Sequence, residues 1–385
     1  MRVLLLYISD VLGHRQAARA IKQVFQEEYP WVIVREENLF RHGNPFMRCA
    51  LNSLYFAIIK LFPWFWDMIW DSKEVYWLTY LLRESLYRLN YHRLYREVIK
   101  PFNPDAVICT HSLCCAISSV IKRDKKLDYL LIAVPTDFYL NPYWFYKNVD
   151  MYFLPQDKSI SNRLKKKIPP DKFSITGIPI LPRFSKPKDR PFLKKKWQVD
   201  ENLFTILIMG GGKGLGPIKD TVLAFENALI PVQILVVTGI NRNLKRDLRK
   251  IGPNLNFPLK VWGYTREIDE LMEISDLLIT KPSGLTIAEA LSKGLPMLLL
   301  DSISGQEMRN KELLLEKGLA FSLDSPEQAV SFVRNYINNG FNRELWRERA
   351  KELSRPQASQ EVVHKIMEML KGKTQLNMKQ RPLRE

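Results

Sequence analysis

The chain has few cysteines and few histidines. Four cysteines in 385 residues, two of them adjacent (Cys114 and Cys115), give neither a disulfide framework nor a CxxC metal pair. The five histidines form no cluster of metal ligands, and no DxD-like pair of carboxylates stands in a suitable loop. We therefore expect a reducing cytosol as the compartment, and the composition gives no sign of a bound metal.

Long hydrophobic runs are also missing. The six-residue apolar run at the start of the chain is too short for a signal-peptide core and precedes no small-residue cleavage site. It predicts a buried parallel strand over residues 3–8. The longest apolar stretch, residues 54–70, is interrupted by Lys60, Pro63 and Asp67 and falls short of the ~20 apolar residues of a spanning helix. We expect no transmembrane segment.

Acidic residues are too few to balance the basic ones. Lys and Arg number 58 against 41 Asp and Glu, which gives a formal net charge of +17. Such an excess attracts a polyanion, either nucleic acid or an anionic membrane surface. A nucleic-acid-binding protein would explain the charge, but no recognised nucleic-acid module appears. We expect no nucleic-acid partner.

Short β-rich runs alternate with helical stretches in both halves of the chain, which predicts an α/β protein with two doubly wound domains. Predicted strands of the first half cover residues 3–8, 32–35, 106–109, 129–134 and 151–154. Those of the second half cover residues 204–209, 232–238, 259–261, 277–280 and 297–300.

Prolines at positions 179, 182, 187 and 191, in a segment rich in Lys and Arg, predict a boundary between the two halves. We expect an N-terminal domain over residues 1–183, a linker over 184–200 and a C-terminal domain over 201–350. A helix over 351–370 is expected to pack back towards the N-terminal domain. A basic, frayed tail should follow over 371–385.

The strongest local pattern is a glycine-rich loop after the strand at 204–209. Five of the seven residues from Gly210 to Gly216 are glycine, and a helix is predicted from Ile218. Glycines let backbone N–H groups approach an anion closely, and a helix N-terminus favours negative charge. The loop is neither a Walker A loop nor a complete GxGxxG fingerprint. It predicts a phosphate site, and a tight strand-to-helix turn is the alternative.

A second strand-to-helix junction carries polar side chains. Thr286 stands near the predicted start of the helix, and Glu289 follows three residues later, about one turn on. A carboxylate there can bracket sugar hydroxyls, although an N-cap with a helix-start glutamate gives the same pattern. Gln306, Glu307 and Asn310 form a further amide and carboxylate cluster that suits a polyol.

Six ordered motifs together resemble one family, the monogalactosyldiacylglycerol synthases and processive diacylglycerol glucosyltransferases, the lipid branch of the GT-B glycosyltransferases. The motifs cover nearly the whole chain: Ser9–Arg15 (SDxGGGHR in the family), Val134–Phe138 with Trp144 (TDF/TDL…W), Gly177–Ile180 (GIPI/GLPV), Met209–Pro217 (MGGGEGMGP), Ile279–Glu289 (ITKxGxxTIAEA) and Gly305–Asn310 (GQExxN). The resemblance implies the GT-B fold, two Rossmann-like domains facing a central cleft.

The resemblance also implies a UDP-sugar held mainly by the C-terminal domain. The diphosphate would face the glycine loop and the start of the second helix, and Glu289 would hold the ribose hydroxyls. Tyr264 would flank the uracil, with packing under the next helix as the alternative, and Gln306 and Glu307 would hold the transferred sugar. The implied donor-binding set is Gly211, Gly212, Gly214, Leu215, Gly216, Tyr264, Ser283, Gly284, Thr286, Glu289, Gln306, Glu307 and Asn310. Helix dipoles and basic side chains would neutralise UDP, so no metal or other cofactor is implied.

His14 is the expected catalytic base. An imidazole with a pKa near ~6.5 is matched to removing a proton from an acceptor hydroxyl at neutral pH. Its loop follows the first strand, where such folds place functional groups. Asp10 and Asp137 would orient His14 or take its place. Val11 and Leu12 replace two glycines of the family motif, which leaves the acceptor less certain than the donor.

An aromatic segment predicts contact with lipid. Residues 54–70 are dense in aromatic side chains of the kind that settle at a lipid–water boundary, and core packing is the alternative. The side chains expected at the acceptor or membrane are Phe62, Trp64, Phe65, Trp66 and Trp70. An interfacial helix would present a lipid acceptor.

We therefore expect a UDP-sugar-dependent, inverting hexosyltransferase on the cytoplasmic face of an anionic membrane, peripherally bound, that makes a glycosyl-diacylglycerol. Transfer to another lipid acceptor, such as a polyprenyl diphosphate, and a non-catalytic UDP-binding relative remain as alternatives. A sugar-nucleotide 2-epimerase would not need the aromatic segment.

Overall fold

A computed structural model describes residues 1–10, 13–43, 78–160, 168–300, 305–340 and 342–379. The chain forms two compact units. The first comprises the described residues within Met1–Asp10, His14–Pro182 and Gln357–Glu385, and the second comprises Gly13 and the described residues within Arg183–Pro356. Each unit contains one parallel sheet with helices packed on it.

Helices connect and cover the strands, as expected when parallel strands must be joined by crossovers. Their bounds are α1 Gly13–Glu28, α2 Tyr80–Leu94, α3 Ser112–Asp124, α4 Arg190–Lys196, α5 Ile218–Ala224, α6 Arg242–Ile251, α7 Ile268–Ile274, α8 Gly284–Ser292, α9 Gly305–Glu316, α10 Pro326–Asn339, α11 Arg343–Ala350 and α12 Ala358–Lys379. After α2, one π-helical turn (Tyr95–Ile99) and a short helix (Lys100–Phe102) carry the chain to the next strand.

The sheet of the first unit has the strand order β2-β1-β3-β4-β5-β6, and every pairing in it is parallel. Its strands are β1 Arg2–Tyr7, β2 Ile33–Asn38, β3 Ala106–Cys109, β4 Leu130–Ala133, β5 Met151–Leu154 and β6 Phe173–Ile175. The central strands β1 and β3 are almost completely buried, as in sheets covered on both faces.

The sheet of the second unit has the order β12-β11-β10-β7-β8-β9 and is also parallel throughout. Its strands are β7 Phe204–Met209, β8 Val232–Val237, β9 Leu259–Trp262, β10 Leu277–Thr280, β11 Met297–Leu299 and β12 Phe321–Ser322. Read from β9 across to β12, this is the strand order of the Rossmann fold.

The segment predicted as a linker, residues 184–200, is folded onto the second unit. It contains α4, where Asp189 accepts a hydrogen bond from the Phe192 N–H at 3.0 Å and Leu193 is buried. Pro191 stands in the first turn of α4, where a helix tolerates proline because that N–H needs no intrahelical acceptor. Pro191, one of the prolines that predicted a linker, therefore belongs to the start of a helix capped by Asp189.

The C-terminal helix belongs to the first unit. Val362, Val363, Ile366, Met367 and Leu370 of α12 pack in the same core cluster as β1 and α1. The helix begins at Ala358, just after Pro356, and continues to Lys379. Residues 371–379 are therefore helical, where the sequence predicted a frayed tail from 371.

Across the described ranges, none of the helices combines the length and the apolar character that crossing a lipid bilayer requires.

Candidate functional site

Each sheet has one place where the strand order reverses. In the first sheet it lies between β1 and β3, and in the second between β7 and β10. Open α/β sheets bind ligands at the carboxyl ends of the strands at this point, because the two loops there diverge to opposite faces. The loops after these four strands carry His14, Thr110, the glycine-rich loop and Ser283.

His14 lies in the first turn of α1 and is held at two points. Its Nδ1 lies 2.8 Å from the Thr136 hydroxyl oxygen, in the segment after β4. The Thr110 hydroxyl, after β3, donates to the His14 main-chain carbonyl at 2.9 Å. The ring of His111 meets the imidazole edge-on, with ring centroids 4.7 Å apart. The segments after β3 and β4 thus hold the main chain and the imidazole of His14.

Burial lowers the pKa of His14 to about 4, and a hydrogen bond involving Thr110 only partly opposes this. The same burial, together with neighbouring His14, lowers the pKa of His111 well below its usual value. The imidazole of His14 is therefore neutral at neutral pH and able to accept a proton. The value of about 6.5 expected from sequence is too high, because sequence spacing does not reveal this burial.

Asp10 has other partners than the one expected. It accepts hydrogen bonds from Tyr7 at 3.1 Å, Asn38 at 3.2 Å and Arg41 at 3.2 Å. Burial opposes its ionisation, but the hydrogen bonds from Tyr7 and Asn38 and the charge of Arg41 outweigh it and lower the pKa of Asp10. The ionised Asp10 carboxylate therefore joins the end of β1 to Asn38 and Arg41.

In the described contacts, the hydrogen-bond partner of the His14 Nδ1 is Thr136. The sequence predicted Asp10 or Asp137 as the group that orients this ring. Thr136 immediately precedes Asp137 in the chain, and Asp137 is half-buried. The described hydrogen bonds of Asp10 go to Tyr7, Asn38 and Arg41, so a role of Asp10 in orienting His14 stays a prediction.

In the second unit, the glycine-rich loop folds as a tight turn held by its own backbone. The Gly214 N–H donates to Gly211 O at 3.1 Å, and the Leu215 N–H donates to Gly210 O at 2.9 Å. Gly214 has φ of 60°, and a Cβ there would lie 2.2 Å from Thr238 O. Only glycine fits this position without a backbone shift.

The turn leaves other donors for an anion. Because the N–H groups of Gly214 and Leu215 donate within the loop, they are not available to a phosphate, as the sequence had predicted they would be. Among the backbone donors described in this loop, the N–H groups of Gly211, Gly212 and Gly216 have no acceptor. Phosphate oxygens are suited to such N–H groups.

Two lysines lie at this loop. The Cε of Lys281, in the segment after β10, lies 3.1 Å from where a Cβ of Gly211 would stand. Burial and then the charge of Lys281 lower the pKa of Lys213. Lys281 forms an ion pair with Glu307 in the first turn of α9. Two mutually repelling cations beside a glycine loop favour a multiply charged anion.

The start of α8 brings Ser283, Thr286 and Glu289 together. The Ser283 hydroxyl donates to the Thr286 hydroxyl oxygen at 3.0 Å. Ser283 occupies the N-cap position but makes no side-chain cap hydrogen bond. The capping pattern considered from sequence is therefore absent in this described helix, which leaves the Glu289 carboxyl for another role.

Glu289 is 9% exposed, and burial raises the pKa of its carboxyl to about 8. The charge of Arg183 opposes this rise, and the charge of Asp269 adds to it. Arg183 Nε lies 3.1 Å from Asp269 Oδ1, so its charge is already shared with an acid. Burial therefore favours the protonated form of the Glu289 carboxyl at neutral pH.

The structure also places the other residues that the sequence predicts at the donor site. Tyr264 is 47% exposed after β9, so it is not packed under the next helix. Gln306 and Glu307 are half-buried in the first turn of α9. Asn310 is completely buried and donates to Pro282 O at 3.1 Å. It thus anchors α9 to the loop before α8, and this geometry does not support its direct contact with a sugar.

Two further expectations concern the side chains predicted at the acceptor or membrane and the binding of a metal ion. The side chains predicted at the acceptor or membrane lie outside the described residues: Phe62, Trp64, Phe65, Trp66 and Trp70. In the part of the chain that the structure describes, no group of three His, Cys, Asp or Glu side chains is placed to hold a metal ion.

Two family models match this chain in succession. The model for monogalactosyldiacylglycerol (MGDG) synthase matches residues 14–180, and that for the glycosyltransferase family 28 C-terminal domain matches residues 205–370. The chloroplastic monogalactosyldiacylglycerol synthase of Spinacia oleracea is 31% identical over 97% of this chain and 73% of that protein. The chain belongs to the monogalactosyldiacylglycerol synthase family. The resemblance predicted from the motifs is confirmed.

The family also has bacterial members among the relatives. The processive diacylglycerol beta-glucosyltransferase of Bacillus pumilus is 28% identical over 95% of this chain and 94% of that protein. Solved structures with the same fold include Acinetobacter baumannii MurG, with TM-score 0.59, 15% identity and coverage of 95% of this chain and 99% of MurG. Anabaena HepE in complex with UDP-glucose has TM-score 0.58, 13% identity and coverage of 97% and 100%. The prediction of two Rossmann-like domains of the GT-B type is confirmed.

Sequence reasoning missed several residues of this family member's site. Thr136 lies within the Val134–Phe138 motif, and its hydroxyl next to the motif aspartate is the sequence signal that points to it. Lys281 stands inside the Ile279–Glu289 motif, between the strand and the start of α8. Arg183 lies at the predicted domain boundary, and no local pattern connects it with Glu289.

Proposed function

We propose that this protein transfers a hexose from a UDP-sugar to the hydroxyl of diacylglycerol, which gives a glycosyl-diacylglycerol and UDP. The observation that carries the proposal is the match of nearly the whole chain to relatives named as diacylglycerol glycosyltransferases. The neutral His14 and the anion-suited glycine loop supply the two functions that such a transfer needs, a proton acceptor and a site for the leaving diphosphate.

The chemistry is a single displacement. The acceptor oxygen forms a bond to the anomeric carbon while the bond from that carbon to the UDP oxygen breaks, and the acceptor proton passes to a base. A relative named as a beta-glucosyltransferase supports inversion, because UDP-glucose carries its sugar in the α configuration. His14 is the base in this proposal, since its imidazole is unprotonated at neutral pH.

The leaving UDP is stabilised by the second unit. Free N–H groups of the glycine loop and the two lysines, Lys213 and Lys281, would face the diphosphate. Preorganised donors and cations of this kind stabilise developing negative charge in place of a metal ion. The proposal therefore needs neither a metal nor another cofactor. Glu289 would accept hydrogen bonds from the ribose hydroxyls, and Tyr264 would flank the uracil.

The acceptor side involves a membrane. The net charge of +17 favours an anionic surface. The aromatic stretch at residues 54–70 has the composition of an interfacial segment. Together they support a peripheral enzyme at the cytoplasmic face of an anionic membrane, where diacylglycerol is available.

The test measures transfer from a panel of radiolabelled UDP-sugars into diacylglycerol presented in anionic mixed micelles. Three proteins are compared: the wild type, His14→Ala, and His92→Ala as a control, since His92 is an exposed histidine on α2. We expect labelled lipid with the wild type and the control, and loss of most product with His14→Ala.

Other outcomes separate the alternatives. Label that enters a polyprenyl diphosphate but not diacylglycerol would replace the acceptor in this proposal. UDP binding without product from any donor and acceptor would contradict catalysis and leave a nucleotide-binding relative. Equal activity of wild type and His14→Ala would remove His14 as the base.

A further inference from the structure

We propose that Thr136 is the positioning residue for His14: its hydroxyl accepts a hydrogen bond from Nδ1–H and so leaves Nε2 as the nitrogen with a free lone pair. This inference rests on the proposed function, in which His14 accepts the proton of the lipid hydroxyl. It assigns to a neutral side chain the task that a carboxylate performs in many His-dependent sites.

The geometry holds both partners firmly. The Nδ1–Oγ1 distance is 2.8 Å, between residues 122 positions apart in sequence. Thr136 is 5% exposed, in the segment after β4. The backbone of His14 is tied separately, since Thr110 donates to its carbonyl at 2.9 Å. With main chain and ring nitrogen both fixed, the direction of the imidazole ring is determined.

Proton counting gives the tautomer that the reaction needs. A neutral imidazole carries one proton, so one ring nitrogen donates and the other accepts. Nδ1 is occupied by Thr136, and no described residue hydrogen-bonds Nε2. Acceptance of a substrate proton therefore requires a bare Nε2, with the ring proton on Nδ1 and donated to the hydroxyl. If the hydroxyl donated instead, Nε2 would carry the proton and His14 would not act as a base.

A hydroxyl has a further consequence that a carboxylate would not have. It orients the ring without adding a negative charge, so it does not draw a second proton onto the imidazole. The titratable ring packed against His14 is that of His111, which is half-buried and adds no negative charge. Thr136 thus fixes direction and tautomer, while burial keeps the base unprotonated.

The test uses two substitutions at Thr136 and one control. Thr136→Ser keeps the hydroxyl, and Thr136→Val keeps the shape but removes it. Thr176→Val is the matched control, because Thr176 is a buried threonine of the same unit outside the site. For Thr136→Val we expect kcat to fall by about tenfold to a hundredfold, since a general base contributes about 10²–10⁴-fold. The KM for the UDP-sugar should stay unchanged, and Thr136→Ser and Thr176→Val should retain most activity.

A second readout does not depend on activity. Nitrogen-15 shifts of the imidazoles report which ring nitrogen carries the proton, and His14→Ala identifies the His14 signals among five histidines. We expect Nδ1–H in the wild type and Thr136→Ser, and a shift towards Nε2–H in Thr136→Val. Nε2–H in the wild type, or unchanged kcat in Thr136→Val, would overturn the inference. Absence of turnover in the wild type would contradict the proposed function. The nitrogen-15 shifts would still show whether Thr136 sets the tautomer of His14.

Discussion

Replacing Glu289 by glutamine separates the role of this residue in stability from its role in donor binding. The wild-type carboxyl is 9% exposed, and burial raises its pKa to about 8 from an ordinary 4.5. Glutamine has almost the same shape but does not ionise. Its effect on the free energy of unfolding should therefore depend on pH, and its effect on UDP-sugar binding should oppose its effect on stability.

The sign follows from proton linkage. Between pH 4.5 and about 8 the folded protein keeps the Glu289 proton that the unfolded chain has lost, so stability is full below 4.5 and falls as pH rises through about 8. The whole interval corresponds to about 5 kcal/mol, at about 1.4 kcal/mol per pH unit. At pH 7 about 3 kcal/mol of this is already lost. Glu289→Gln avoids this loss.

Urea denaturation of wild type and Glu289→Gln at pH 5 and pH 9 measures the effect, with Glu316→Gln, an exposed glutamate on α9, as the control. We expect the variant to gain about 3 to 4 kcal/mol on the wild type between these pH values. The control should gain almost nothing. If the free energy of unfolding changed equally in the wild type and the variant between pH 5 and pH 9, the raised pKa of a buried Glu289 carboxyl would be refuted.

Donor binding should respond in the opposite direction. If ribose hydroxyls donate to an ionised Glu289, binding of UDP-glucose must release the carboxyl proton near neutral pH. Affinity of the wild type should then rise between about pH 6 and pH 8, whereas Glu289→Gln should bind about tenfold or more weakly, with no such rise. Calorimetry in buffers of different ionisation enthalpy detects the released proton. A pH-independent wild-type affinity equal to that of the variant would exclude the ribose contact.

Three further predictions concern the base and the glycine loop. With the pKa of His14 at about 4, kcat at saturating UDP-sugar, where Glu289 is already ionised by the donor, should stay level from pH 7 down to about pH 5.5, and an acid limb centred near pH 6.5 would contradict the burial of the imidazole. Lys213→Met should raise the KM for the UDP-sugar by about tenfold because a cation at the diphosphate is lost, whereas Lys219→Met, at an exposed lysine on α5, should not change it in the same steady-state assay. Gly214→Ala should lower the free energy of unfolding by about 2 kcal/mol or more, since its Cβ would meet Thr238 O at 2.2 Å. An unchanged urea midpoint would show that the loop adapts.

The buried central strands were predictable from sequence because short, continuous apolar runs are typical of parallel strands that are covered on both faces. Residues 106–109, 151–154, 204–209 and 277–280 coincide with β3, β5, β7 and β10. The edge strands β6 and β12 were missed, since three residues and two residues are too short for a pattern. Their pairing depends on the neighbouring strands, which is tertiary information.

The site divides in the same way. The glycine run and the Thr286–Glu289 spacing are local, so the sequence alone is enough to propose an anion site and a hydroxyl-binding carboxylate there. Protonation states are not local. The low pKa of His14 and the high pKa of Glu289 both result from burial by segments distant in sequence. The contact between His14 and Thr136 joins two loops and has no signature at either residue alone.

The anomeric configuration of the lipid product tests the central claim most directly. The wild type is incubated with an α-linked UDP-hexose and diacylglycerol, and the coupling constant of the anomeric proton is measured by NMR on the purified glycolipid. A single displacement assisted by a base gives the β-glycosyl-diacylglycerol, and this is the predicted result. An α-linked product, or no glycolipid from any UDP-hexose, would contradict the account.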